Sequence, residues 1–407
     1  MEKICPVCGN TLSETTKFCP KCGTKQAVEA APNERACPFC GEAVEPDARF
    51  CAHCGRDLHV AGSHTAANAA DYVRSGLGKV AGSLNEKIGE SGPVDVHLSD
   101  LVSEVFRKHT QDEAEELFIG GTKKTTPPES EITAQWPKPW LYSRVFLFLA
   151  ATSLLLYLML TLFGNTNAYP GFMFMGAMTV PFALVIFFWE VNVPRNISIF
   201  SVVSMFFVGG VFSLVCTLIL YRISGAGELS YIGAVLVGLV EEAGKMVVVA
   251  YYVKKANAKY ILNGLLLGAC VGAGFAVFES AGYAFRYLLM GDLTLMVNLT
   301  LLRGVLSLGG HVVWTAIAGA ALVAAKGEQP FATAQLLSGR FLFFFALSVI
   351  LHGIWDSPLR LFGDCGTQII LTVVAWIVTL TLISAGLKQI TRLAKKHRAE
   401  SAAPEEA

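Results

Sequence analysis

The chain runs to 407 residues, 53% of them hydrophobic and only 16% charged, with a mean hydropathy of +0.50. Those proportions set aside a soluble globular protein and point to a polytopic membrane protein. The 32 basic and 32 acidic residues leave a formal charge of +0, which argues neither for nor against nucleic acid.

That average hides two unlike stretches. Residues 1–137 are polar and cysteine-bearing, whereas residues 143–388 are almost wholly apolar. The opening MEKICPVCGN has no apolar segment of the kind a cleavable signal peptide needs. Of 11 cysteines, 8 lie in the first 54 residues as four C-x-x-C pairs. Cys5, Cys8, Cys19 and Cys22 form CPVCG…KFCPKCG, and Cys37, Cys40, Cys51 and Cys54 repeat the pattern 32 residues later as CPFCG…RFCAHCG. Four thiolates satisfy tetrahedral zinc, and a glycine after a pair lets the backbone turn its amides towards sulfur. Modules this small cannot fold on apolar burial alone, so the metal supplies the folding energy.

Two zinc ribbons, residues 1–26 and 33–58, are therefore expected, with one structural Zn2+ for each. A disulfide framework is the competing account and would need an exported amino terminus. Which pairs share an ion is open, since Cys5 and Cys8 could close with Cys19 and Cys22 or with the next copy. The modules resemble the short zinc ribbons at the ends of many bacterial membrane proteins. A protein partner is the expected ligand for them, and nucleic acid is not, because no dense basic and aromatic surface accompanies them. Cys216, Cys270 and Cys365 are scattered in or beside apolar runs and read as packing residues.

Residues 59–137 read as a linker. The Ala, Gly, Ser and His of 57–97 suggest a flexible segment, and apolar spacing over Leu98–Phe118 predicts one amphipathic helix. GGTKKTTPPESE then breaks regular structure, and Trp136 and Trp140 stand where interfacial aromatics belong.

Apolar runs predict eight spans, at about 143–163, 170–189, 197–221, 230–253, 261–289, 296–324, 338–361 and 367–388. The fold class expected is an all-α polytopic membrane bundle of about eight transmembrane helices behind two small zinc-ribbon modules. Lysines and arginines alternate across the loops, heavy at Lys138/Arg144, Arg195, Lys254/Lys255/Lys259, Lys326/Arg340 and the charged tail 391–407. The opposite loops carry only Arg222, Arg286 and Arg360. The positive-inside rule then places both termini in the cytoplasm, which also keeps the ribbon thiols reduced.

Ionisable residues interrupt these runs. Glu241, Glu242 and Lys245 (EEAGK), Glu279 (FAVFE), His311, and His352 with Asp356 (HGIWD) fall inside predicted spans at similar depth. A charge at mid-membrane costs about 2.5–3.5 kcal/mol on insertion scales, so such residues face one another and mark a site. Glu241 and Lys245, Phe275 and Glu279, and His352 and Asp356 are each four apart and share a helix face. Gly264, Gly268, Gly272 and Gly274 on the fifth span permit close helix approach. A carboxylate beside a histidine, shielded from solvent, can activate water as a general base, and a second histidine with Asp356 can stabilise an oxyanion. The same set can instead bind zinc. Both routes stay open. A buried ion pair is the structural alternative for Glu241 with Lys245, a local hydrogen bond for His352 with Asp356, and packing for Phe275 and Trp355. Arg303 is expected to pair with a carboxylate or a headgroup.

EEAGK, FAVFE and HGIWD, in that order on separate spans, resemble the PrsW intramembrane proteases, relatives of the CAAX prenyl endopeptidases among glutamate-dependent membrane peptidases. The resemblance covers about residues 140–390. It implies an intramembrane endopeptidase in which Glu241 and Glu242 supply the water-activating carboxylate. His311 and His352 would position water or the oxyanion, with Asp356 beside His352. Glu279 stands where the prenyl endopeptidases carry a histidine. The implied setting is a bacterial-type plasma membrane, and the implied partners are the bilayer and a membrane protein or peptide, such as a membrane-bound regulator. A proton-coupled transporter and an inactive scaffold that binds through its ribbons are the alternatives. Against the transporter stands the lack of a repeat between the bundle halves or a matching pair of broken helices.

Overall fold

The structure, a computed structural model, describes residues 2–5, 10–13, 19–22, 35–36, 43–44, 48 and 64–402 except 133, 228 and 364. Over 64–74 and 398–402 it describes the helix but not the side chains. The chain divides into two units, Met1–Gly76 and Leu77–Ala407.

In the first unit β1 (Glu2–Ile4) pairs antiparallel with β2 (Thr11–Ser13), and Cys5 N–H closes the hairpin on Asn10 O at 2.9 Å. Cys5, Cys19 and Leu12 are buried, and the Cys5 and Cys22 sulfurs lie 3.6 Å apart. That separation is close to the edge of a tetrahedron built on Zn–S bonds of about 2.3 Å. The ligand atoms of Cys5, Cys19 and Cys22 all fall within 4.8 Å of one another, so the first copy closes on itself and fits a zinc site. β3 (Arg35–Ala36) and β4 (Ala43–Val44) repeat the hairpin at the same 32-residue offset as the cysteines. Cys8, Cys37, Cys40, Cys51 and Cys54 lie outside the described residues.

The segment expected to be a flexible linker contains a 25-residue helix, α1 (His64–Ile88), running into the second unit. Leu84 and Ile88, four apart, are buried in the core of that unit. The stretch is held down by specific contacts. Arg392 Nη2 donates to Glu90 at 2.6 Å, and Lys388 Nζ donates to the carbonyls of Ser91, Gly92 and Pro93 at 3.2, 3.1 and 2.5 Å. The amphipathic helix expected over Leu98–Phe118 is instead two short ones, α2 (Asp100–Ser103) and α3 (Gln111–Ile119). The break falls before a capping box: Thr110 Oγ1 accepts from Glu113 N at 3.2 Å while the Glu113 carboxylate accepts from Thr110 N at 3.0 Å.

The membrane part comprises α4 (Leu141–Phe163), α5 (Tyr169–Val191), α6 (Ile199–Ser204) continuing through a π-turn into α7 (Gly210–Ser224), α8 (Tyr231–Lys255), α9 (Ile261–Leu289), α10 (Leu293–Leu306), α11 (His311–Lys326), α12 (Gly339–Asp356) and α13 (Gly366–Ala402). Seven segments among the described residues are long and apolar enough to cross a membrane. α8, also 25 residues long, is not among them because Glu241, Glu242 and Lys245 sit at its middle. With it, all eight predicted spans are helical. Two differ from expectation. The sixth is broken at Ser307–Gly310, so His311 starts a helix instead of lying mid-helix, and the last continues through Ala402 where a tail was expected from residue 391.

α9 is buried nearly all round at the centre, against α11, α5, α7, α8 and α10. The stripe Gly264, Gly268, Gly272 explains this position. A Cβ at Gly264, Gly268 or Gly272 would strike the backbone of α11 at Gly319, Thr315 or His311, respectively. Gly274 faces the other way, onto Phe206 and Gly210. Glycine spacing thus lets α9 touch α11 backbone to backbone, a van der Waals fit that apolar solvent does not provide. Gly238 does the same for α8 against α12 beside His352, and Gly244 for α8 against Thr217 of α7. These contacts draw α8, α9, α11 and α12 together.

Candidate active site

The polar residues of α8 share one side of the helix because they lie three and four apart. Lys245 Nζ donates to Glu242 Oε1 at 2.8 Å and to Glu241 Oε2 at 3.4 Å. It also reaches His311 Nδ1 at 2.9 Å and lies 3.9 Å from the centroid of the Phe275 ring. Phe275, read from sequence as packing, is therefore a wall of the lysine's cage. Glu242 is fully enclosed: Oε1 also receives His352 Nδ1 at 3.0 Å and Oε2 receives Thr315 Oγ1 at 3.2 Å. Glu241 is turned differently, with Oε1 accepting from Tyr221 Oη at 2.8 Å and Oε2 lying 3.6 Å from His352 Nε2.

On α9 the Glu279 carboxylate accepts from Arg303 Nη2 of α10 at 2.5 Å and from His311 Nε2 at 3.1 Å. Arg303 also donates Nε–H to Ser280 at 3.0 Å and lies 4.6 Å from the Tyr283 ring centroid. On α12, His352 Nε2 is 3.2 Å from Asp356 Oδ2. The six site residues expected from sequence are thus brought into one connected network by direct contacts, with Arg303 pairing with a carboxylate as expected. Sequence reasoning missed Tyr221, Thr315 and Trp314. Trp314 stacks on His352 at 4.6 Å and meets His311 edge-on at 5.2 Å. Nothing in a hydrophobic run distinguishes such a residue from ordinary packing.

These groups border a cavity of about 720 Å3. Its wall includes Glu241, Glu279, His311, Asp356, Tyr221 and Arg303, whereas Glu242, Lys245 and His352 stand behind it. Lysine donates to His311 Nδ1, so the His311 proton belongs on Nε2, facing Glu279. A carboxylate can only accept, so His352 carries its proton on Nδ1, facing Glu242. Its Nε2 then lies between the carboxylates of Glu241 and Asp356. Only a cation at that nitrogen, a proton or a metal ion, makes the arrangement attractive. Glu241, His311 and His352 offer ligand atoms all within 4.8 Å of one another, a carboxylate and two imidazoles of the kind catalytic zinc uses. The donor set therefore fits a metal, with His311 giving up one of its two partners to bind it.

These features define a helical membrane protein with a buried carboxylate–imidazole cluster and an amino-terminal cysteine module. The model of the PrsW family intramembrane metalloproteases matches residues 194–383, and the model of the double zinc ribbon matches residues 5–55. The PrsW match begins before α6 and ends within α13, the ribbon match covers the amino-terminal cysteines, and α4 and α5 precede the PrsW-matched stretch. Neither the curated proteins nor the solved structures give a match.

Proposed function

We propose that the protein is an intramembrane endopeptidase that hydrolyses peptide bonds of membrane-embedded substrates at the α8–α9–α11–α12 cavity. The observation that carries this reading is the division of labour between the paired glutamates. Glu241 borders the cavity while Glu242 is enclosed behind it and holds His352 and Lys245. Glu241 is then the base that takes a proton from the attacking water at the cavity wall, with Tyr221 holding Oε1 and Lys245 holding Oε2. Glu242 orients the imidazole of His352, as a carboxylate behind a histidine sets its tautomer. Water oxygen bonds to the scissile carbonyl carbon, the carbon–nitrogen bond breaks, and the proton collected at Glu241 passes to the departing amine. On the alternative metal route Glu241, His311 and His352 would hold a divalent ion that supplies Lewis acidity, and Glu241 would then be a ligand in place of the base. Arg303 keeps Glu279 against His311 and so holds the imidazole at the cavity.

The alternating loop charges favour cytoplasmic termini in a bacterial-type plasma membrane, and the ribbons in that setting are adaptors for a protein partner. The test compares membrane-protein fragments from cells carrying wild type, Glu241→Gln, Glu242→Gln or His352→Ala. A set of fragments falling by about 10²-fold or more in each variant is expected. If no fragment depends on these residues, the protease reading fails. Metal analysis of the full chain addresses the mechanism: loss of one bound ion in His311→Ala, with the cysteines untouched, identifies the metal site.

A further inference from the structure

The stretch before α4 carries an apolar face that no other described residue covers. Leu98, Val102 and Phe106 recur every four residues through α2 and the turns on either side of it, and all three are exposed. Phe106 is 92% exposed, yet the turn that presents it is fixed from behind. Leu101, on the opposite side, is buried in the core, and its carbonyl accepts from Tyr142 Oη at 3.2 Å. Arg144 Nη2 donates to Arg107 O at 3.0 Å. His109 Nε2 donates to Glu104 O at 3.0 Å while its ring stacks on Trp140 at 3.7 Å. A turn held at both ends keeps the Phe106 ring outward, and a rigidly presented apolar patch marks a contact surface.

The anchors indicate what lies over this face. Tyr142 and Arg144 belong to the first turn of α4, and Arg144 begins the stripe that continues through Phe148, Leu155 and Leu162 on one side of the helix. Those three side chains are exposed along the length of the span and face lipid. Phe106 therefore stands where the lipid-facing surface of α4 reaches its polar end, the level at which aromatic rings and basic side chains gather. Lys108, Lys138 and Arg144 are exposed around the turn. Between Leu98 and Lys108 the acids are Asp100 and Glu104, and Glu104 is paired with Arg107 at 3.0 Å. An apolar tip flanked by basic side chains matches the edge of an anionic leaflet, where the ring meets acyl chains and the cations meet phosphate.

We propose that the Leu98–Lys108 turn is a docking surface for anionic phospholipid. Phe106 enters the headgroup–acyl boundary beside α4, Leu98 and Val102 widen its apolar footprint, and Lys108, Lys138 and Arg144 meet the lipid phosphates. The surface lies ahead of α6–α13 in the chain and does not depend on the endopeptidase reading.

Photocrosslinking in the full chain tests this. The photoreactive residue benzoyl-phenylalanine replaces Phe106, and the protein is irradiated in nanodiscs of phosphatidylcholine mixed with phosphatidylglycerol. The same probe at Phe148, on the lipid-facing stripe, sets the yield of an authentic lipid contact. Phospholipid adducts at a comparable yield are expected at position 106, with phosphatidylglycerol exceeding its share of the bilayer by about threefold. Lys108→Gln/Lys138→Gln, which alters only exposed side chains, should bring that ratio back to the bilayer share while the lipid adducts persist. Adducts confined to the chain itself or to a second copy overturn the proposal, as does a lipid yield far below that at Phe148. Lipid adducts in bilayer proportion, or an enrichment that survives loss of both lysines, also overturn it, because the turn then touches lipid without selecting anionic headgroups.

Discussion

Lys245 has no exposed side-chain surface and touches Glu241, Glu242 and His311. Removing one member of a buried charge network leaves the others uncompensated, at a cost of about 3–5 kcal/mol. Lys245→Met should therefore lower thermal stability in detergent by that much, and the double variant Lys245→Met/Glu242→Gln should recover part of it by deleting the stranded charge. No recovery in the double variant would count against the pairing. The acidic and histidine members of this network were legible in the sequence because charge inside an apolar run is costly and their spacing puts them on shared faces. Tyr221, Thr315 and Trp314 were not, since hydroxyls and indoles occur in any membrane helix. Their significance comes only from what lies opposite them. The unequal roles of Glu241 and Glu242 were also hidden. Neighbouring positions on a helix differ by about 100° in direction, but which one meets the cavity depends on the helices packed around it.

Among elements, the α9–α11 contact is the tightest constraint on the site, because Gly272 packs on the His311 carbonyl. Gly268→Ala would push its new methyl group into the backbone at Thr315, the residue that holds Glu242. A loss of about 1–3 kcal/mol is expected for such overpacking, read as a fall in melting temperature, with activity falling alongside. The glycine stripe was visible in the sequence, but the break in the sixth span was not. SLGG lacks proline, and the interruption is held by tertiary contacts: Gly309 closes on Thr372, and Trp376 Nε1 donates to Leu308 O at 2.9 Å. α1 was missed because its stripe is short, with Leu84 and Ile88 diluted among Ala, Gly and Ser.

A loop contact outside the membrane responds to acid. Burial works to raise the Glu129 carboxyl, but hydrogen bonds from Tyr260 at 2.6 Å and Lys259 at 2.9 Å, aided by the charges of Lys259 and His397, outweigh it. The carboxyl is held below its ordinary value of 4.5. A depressed folded-state value contributes stability above the unfolded value and loses it as pH falls through the lowered one. Hydrogen-exchange protection at the start of α9, corrected for the intrinsic rate, should therefore fall as pH drops below about 4.5 in wild type, and Glu129→Gln should flatten that dependence.

For the molecule as a whole, composition was enough to separate a membrane bundle from a cysteine module, and the cysteine offset was enough to reveal the duplication. The structure adds that Cys5, Cys19 and Cys22 belong to one cluster. Cys5→Ser in the full chain should release zinc from the first ribbon and leave the melting of the membrane bundle unchanged, as followed by tryptophan fluorescence. The six tryptophans all lie between Trp136 and Trp376, so that signal reports the bundle alone.

α8 is the helix that carries the site and also the one too charged to qualify as a membrane span. That has a consequence for biogenesis. Three central charges at about 2.5–3.5 kcal/mol each would keep α8 from partitioning into lipid alone as it leaves the ribosome. Lys245 offsets one glutamate within the helix and α7 precedes it, but His311 and His352, which complete the cluster from α11 and α12, are translated later. α8 must then wait at the insertion machinery until downstream helices arrive, so the bundle enters the bilayer as a group and not helix by helix. Glycosylation mapping of chains stopped after Lys255 and after Lys326 would show it: α8 unspanned in the shorter chain and inserted in the longer.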